Sequence, residues 1–126
     1  MGGWGGRLLL LAAWSGTILW FSLDPSPPEP NVELLAWDKF QHAAAYGVLA
    51  LLWGTFLVAF SEGRHWSWFR AFAAAVGYGA LMEVAQVVLT STRRAEFGDL
   101  VADAAGAGIV CLLAATRRTR NRSEGP

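Results

Sequence analysis

A chain of 126 residues holds 54% hydrophobic and only 16% charged residues, with ten basic and ten acidic side chains and no formal net charge. Together with seven tryptophans, that balance excludes a small soluble domain of ordinary makeup and leaves a membrane protein. The length allows about four helices of the ~20 residues needed to cross a bilayer and no separate soluble catalytic domain, so one all-α, polytopic four-helix bundle is expected.

The first apolar run, Leu8 to Leu23, follows Arg7 and precedes the Pro-rich stretch from Asp24 to Pro30. A cleaved secretory signal is the rival reading, because a lone basic residue before a Leu-rich core fits one. No A-x-A-like cleavage site follows, however, and Trp14 and Trp20 are bulky for a discarded segment, so a retained first helix over 8–23 is expected. Four of the five prolines fall between Asp24 and Pro30, where fixed φ and missing N–H groups suit an extended linker; 24–37 is read as the longest loop. Further apolar runs cover 40–60, 68–89 and 100–115, separated by the polar hinges Ser61–His65 and Thr90–Glu96 and followed by a basic tail over 117–126.

Arginines set the expected orientation. Arg7, Arg64, Arg70, Arg117, Arg118, Arg120 and Arg122 fall on the side of the termini and the second loop, while the first and third loops carry only Lys39, Arg93 and Arg94 beside several acids. The positive-inside bias therefore places both termini in the cytoplasm. The terminal arginine cluster resembles a nucleic-acid patch in composition, but directly after a membrane helix it fits anionic inner-leaflet lipid, and no nucleic-acid partner is expected.

Polar side chains interrupt three of the apolar runs. An ionisable group in hydrocarbon costs at least ~2.5–3.5 kcal/mol on insertion scales, so such groups usually line an enclosed cavity and mark a site. Asp38, His42 and Tyr46 recur every four residues at the start of the second run, Glu83 and Gln86 stand three apart near the end of the third, and Asp99 and Asp103 four apart at the start of the fourth. Each set shares one helix face. Helices two and four start where helix three ends, so all seven belong to the outer half of the membrane and a single outward-opening polar pocket is the economical arrangement.

Asp38-Lys39-x-x-His42-x-x-x-Tyr46, Glu83-x-x-Gln86, and Arg93 followed by Asp99 with Gly106 beyond, taken in that order, resemble the VanZ-like family of small membrane proteins over roughly Ser22 to Gly108. One position departs: Asp103 is acidic where the family pattern usually has asparagine. The resemblance implies a protein of the bacterial cytoplasmic membrane, in a family named for a member linked to low-level resistance to the glycopeptide teicoplanin.

Several of these residues have plainer readings. Asp38 and Asp99 suit helix N-termini, where an acid accepts orphan N–H groups and meets the positive dipole end. Tyr46 suits an interfacial aromatic belt, and His42 an interhelical hydrogen bond. Glu83 is harder to dismiss, since a carboxyl in an apolar helix must be protonated, paired or hydrated. Arg93 offers a planar fork that matches a carboxylate, so an ion-pair network of Arg93, Glu83 and Asp99 between helices three and four is the structural alternative. Four small-xxx-small pairs, Ala43/Gly47, Ala75/Gly79, Ala102/Gly106 and Ala104/Gly108, fit close helix packing. Cys111 is the sole cysteine, so an internal disulfide and zinc–thiolate chemistry have no support.

On the functional reading, His42, Glu83 and Asp99 carry acid–base or charge-stabilising chemistry, while Asp38, Tyr46, Gln86, Arg93 and Asp103 contact the ligand. The partners expected are membrane lipids and a lipid-linked or peptidoglycan-related envelope molecule. A mixed set of Asp38, His42, Glu83 and Asp99 could ligate a cation, but no recognised ligand motif supports one, and neither metal nor cofactor is expected. A non-catalytic accessory protein is the alternative function. A transporter fits poorly, because four short helices lack the repeated halves that alternating access uses.

Overall fold

The computed structural model describes residues 3–24, 38–60, 64–90 and 97–123. Four helices account for nearly all of them: α1 (Trp4–Leu23), α2 (Asp38–Val58), α3 (Arg64–Leu89) and α4 (Phe97–Ser123). Each is long and apolar enough to cross a membrane. The expected Pro-rich loop, and Arg93 and Arg94 in the third loop, lie outside the described residues.

The helices run past the apolar runs at polar ends. α3 begins at Arg64 rather than Trp68, and Ser67, in that polar first turn, is fully buried beside Trp68. α4 continues through the arginine-rich segment to Ser123. Hydropathy sees only the part suited to hydrocarbon, whereas arginine is itself a good helix former and extends the backbone pattern. α2 stops at Val58, two residues short of the expected end, and its last turn tightens: Ala59 N–H donates to Phe56 O at 3.2 Å and Phe60 N–H to Leu57 O at 3.0 Å.

Contacts fix the helix directions. α2 and α4 run the same way, because His42 meets Asp103 near their starts and Gly47 meets Val110 further along. α3 runs against them, with Gly79 beside Tyr46 at one end and Gly54 beside Trp68 at the other. α1 lies against α2 and α3 and, among the described residues, does not reach α4.

Small residues bring α2 and α4 together. A methyl group added to Gly106 would fall on the backbone carbonyl of Ala43, and one on Gly47 would meet Val110 Cγ2 at 3.2 Å and Gly106 O at 3.4 Å. The expected Ala43/Gly47 and Ala102/Gly106 pairs thus form one backbone-to-backbone seam between two helices that are not consecutive in the chain. Around it the interior is narrow and made largely of small side chains, among them Ala50, Ala71, Ala75 and Ala107, with Leu49 and free Cys111. Large apolar residues such as Leu9, Trp20, Val88 and Leu112 face outward, a surface suited to hydrocarbon rather than water.

Polar side chains clasp α1 to the other helices. Trp14 Nε1 donates to Ala45 O at 2.9 Å, Tyr78 Oη to Ser15 O at 2.6 Å, Gln86 Nε2 to Ser22 O at 3.1 Å and Arg7 Nη1 to Thr55 O at 2.8 Å. Apolar burial drives little association in lipid, so such bonds and close packing hold spans together. Arg7 also places a cation at the negative end of the α2 dipole. Arg7→Ala is expected to lower stability by about 0.3–1 kcal/mol, read as a small drop in the midpoint of thermal unfolding in detergent.

Candidate functional site

The site is built at the end of the bundle where α2 and α4 begin. In α2, Lys39, His42 and Tyr46 follow one another at spacings of three and four, which keeps them on one face. In α4, Asp99 and Asp103 do the same one turn apart. The α2–α4 seam turns these two faces toward each other, and the carboxylates of Asp99 and Asp103 sit in the first two turns of α4, where the positive end of its dipole favours negative charge.

His42 stands at the centre. Its Nδ1 lies 2.7 Å from Asp103 Oδ1, and its Nε2 lies 3.6 Å from Asp99 Oδ2. An ionised carboxylate offers only lone pairs, so Nδ1 carries the proton to Asp103, and Nε2 is the nitrogen that faces Asp99. Lys39 Nζ donates to the other oxygen of Asp99, Oδ1, at 2.5 Å. Tyr46, one turn below, lies parallel to the imidazole at a centroid distance of 6.2 Å and an interplanar angle of 4°.

α3 supplies the third wall. One carboxylate oxygen of half-buried Glu83 forms, with one ligating atom each of His42 and Asp99, a set whose members all lie within 4.8 Å of one another. One turn earlier, Gly79 gives Asp103 its space: a Cβ there would sit 2.5 Å from Asp103 Oδ2 and 3.3 Å from the Tyr46 ring. Gly79→Ala is therefore expected to push the Asp103 carboxylate off His42 and to cost about 1–3 kcal/mol, as overpacking usually does. Thermal unfolding of the purified variant measures it.

Accessibility grades along the cluster. The side chain of Lys39 is 31% exposed, those of His42 and Asp99 are 16% and 9%, and that of Asp103 is 1%. Asp103 is thus an enclosed base plate, His42 and Asp99 an intermediate layer, and Lys39 the rim.

Of the residues singled out in the sequence, the structure brings His42, Glu83, Asp99, Asp103 and Tyr46 together. Gln86 turns instead to α1, where it holds Ser22 O. Tyr46 is buried at 2% exposure beside Tyr78, which corrects its reading as an interfacial aromatic. Asp99 is the third residue of α4, not the residue ahead of it, and its oxygens engage Lys39 and His42; the capping reading gives way to an interhelical one. Asp38 opens α2, but its side chain, like all of Arg93, lies outside the described residues. The expected pairing of Arg93 with Glu83 and Asp99 lies outside them too. Among the described residues Asp99 pairs with Lys39, which ties α4 to α2. Sequence reasoning left Lys39 out of the site, although it stands three residues before His42 on the same face and is the sole lysine of the chain.

Compared with protein-family models, curated proteins and solved structures, the chain gives no significant match.

Proposed function

We propose that this chain is a VanZ-like integral protein of the bacterial cytoplasmic membrane whose polar cluster binds or processes a lipid-linked or peptidoglycan-related envelope molecule. One observation carries the reading: an imidazole held from behind by a buried carboxylate, with Asp99 at its other nitrogen and Glu83 close by, where α2, α3 and α4 bring these groups together. A carboxylate–histidine pair of this kind fixes ring and tautomer, as acid–base and ligand-binding sites require. The arginine distribution supports placing that end on the extracytoplasmic face, with both termini in the cytoplasm. A molecule anchored in the outer leaflet then meets the cluster at headgroup depth.

In this reading Nε2 of His42 is the working atom, Glu83 and Asp99 share its chemistry, Asp103 positions it, and Lys39 at the rim meets an anionic group of the incoming molecule. Lysine suits that task as a compact, mobile point charge. The ordered resemblance to VanZ-like proteins supports the envelope as the place of action and glycopeptide tolerance as a phenotype to measure.

The test is to purify wild type and His42→Ala in native-lipid nanodiscs and identify the bound lipids by mass spectrometry. An envelope precursor enriched about tenfold or more on wild type (~1.4 kcal/mol of binding) and lost from the variant, at equal protein accumulation, supports the site. A purely structural cluster gives the reverse: reduced accumulation of the variant and the same lipid profile in both. Teicoplanin susceptibility of cells expressing either form provides the phenotypic readout.

A further inference from the structure

Two charged residues interrupt the apolar run 68–89, and only one of them, Glu83, belongs to the polar cluster. The other, Arg70, is the seventh residue of α3 and stands ~9 Å along the axis from the start of that helix, at 1.5 Å per residue. A guanidinium stays charged at any depth, so an anion, water or an aromatic face must meet it. The structure shows the aromatic face. Arg70 Cζ lies 5.8 Å from the centroid of the Trp66 ring one turn back, and Trp66 stacks on Phe69 at a centroid distance of 5.4 Å and an interplanar angle of 7°. Trp66 and Phe69 are each 57% exposed, and Arg70 is exposed beside them. Among the described residues, no hydrogen bond or ion pair engages the guanidinium. Contact with a ring face uses its charge but no acceptor, so the donors of the planar fork remain for an oxyanion.

Charge is one-sided at this end of the bundle. Among the described residues, Arg7, Arg70 and Arg117 stand toward the start of α3 and the end of α4, whereas Asp24, Glu83, Asp99 and Asp103 all stand toward the other end. The surface around Arg70 therefore attracts an anion and repels an ammonium group.

We propose that Trp66, Phe69 and Arg70 form a binding site for an anionic phospholipid, with the Arg70 fork on two phosphodiester oxygens and the Trp66–Phe69 pair against the upper part of the acyl chains. Arginine matches a phosphate bidentately where lysine offers a point charge, and tryptophan, apolar in body and polar at one tip, suits headgroup depth. Such a site differs from a general aromatic belt by its headgroup preference. A zwitterionic lipid brings the same phosphate together with an ammonium group, which these cations disfavour. The site stands independently of the envelope ligand proposed above; only its leaflet, cytoplasmic on that topology, rests on that reading.

The test uses the full chain in nonionic detergent, titrated separately with short-chain phosphatidylglycerol, short-chain phosphatidylcholine and inorganic phosphate, with the rise in unfolding midpoint giving each affinity. Wild type should bind phosphatidylglycerol about fivefold tighter than phosphatidylcholine, the ratio that ~1 kcal/mol per basic residue near a charged surface represents. Phosphate alone should leave the midpoint where it is. Arg70→Gln should erase the preference, and Trp66→Leu should weaken phosphatidylglycerol binding about two- to fivefold by releasing the guanidinium. Arg117→Gln, at the start of the basic tail, and His42→Ala, at the opposite end, should both keep the preference, so this site and the envelope site fail separately. Should Arg70→Gln not accumulate, Trp66→Leu and the wild-type preference decide alone. Equal affinity for the two lipids on wild type overturns the proposal, as does a preference that survives Arg70→Gln or is lost in Arg117→Gln, which would assign it to the tail. A midpoint raised as far by phosphate as by phosphatidylglycerol also overturns it, as does an apparent mass on gel filtration that halves in Arg70→Gln, which would give this face to a second copy of the chain.

Discussion

Replacing Gly106 with valine is expected to abolish accumulation of the folded protein. A Cβ at this position falls on the backbone carbonyl of Ala43, which has no rotamer by which to yield, so α2 and α4 must separate. Overpacking typically costs about 1–3 kcal/mol and more where backbone meets backbone, against a total stability of roughly 5–15 kcal/mol for a folded domain. The same seam carries the bond from His42 to Asp103 and the ion pair from Lys39 to Asp99, so the loss spreads to the site. Monodisperse yield after gel filtration measures the effect. Gly77→Val is the control, since a Cβ on Gly77 meets nothing within 4 Å, and its yield should match wild type.

The second large effect is expected at Asp103. Asp103→Ala leaves the Nδ1 proton of His42 without its buried acceptor, and leaving a buried donor unsatisfied costs about 1–3 kcal/mol. Asp103→Asn keeps the volume and an acceptor oxygen, so its unfolding midpoint should stay close to wild type. The prediction is thus a wide gap between two substitutions at one position, read by thermal unfolding in one detergent. Midpoints for both variants close to that of wild type would mean that the buried carboxylate does little to hold α2 against α4. Asparagine is also the residue that the VanZ-like pattern usually carries there, so a tolerated Asp103→Asn fits the resemblance as well as the geometry.

Much of this arrangement is legible in the sequence because the helices alternate in direction. Once four spans are read, the starts of the second and fourth and the end of the third must share one end, and His42, Glu83, Asp99 and Asp103 each fall within about two turns of it. Spacings of three and four then put each set on one face. Which faces meet is another matter. That α2 packs most closely on α4, not on its chain neighbour, depends on the glycine at 106 meeting Ala43, and a small-xxx-small pattern does not name its partner.

Gln86 shows the limit of the same-face argument. At 100° per residue, three positions along a helix leave two side chains ~60° apart, enough for Glu83 to face the cluster while Gln86 reaches Ser22 on α1. Lys39 was hidden for a different reason. An amine next to Asp38 at a helix start reads as part of the loop's charge pattern, and only the approach of α4 reveals Asp99 as its partner. The polar first turn of α3 and the arginine-rich end of α4 escaped because hydropathy marks where a helix suits hydrocarbon, not where its hydrogen bonding ends.

Asp103 clamps His42 through Nδ1, with Asp99 at Nε2 and Glu83 close by. The most direct measurement is solid-state NMR of protein labelled with 15N in the imidazole, in bilayers, with His65→Gln leaving His42 as the sole signal. The account predicts a ring protonated at Nδ1 in a strong hydrogen bond, with a shift that moves on Asp103→Asn. A ring that carries its proton only on Nε2, or whose spectrum ignores Asp103→Asn, contradicts it.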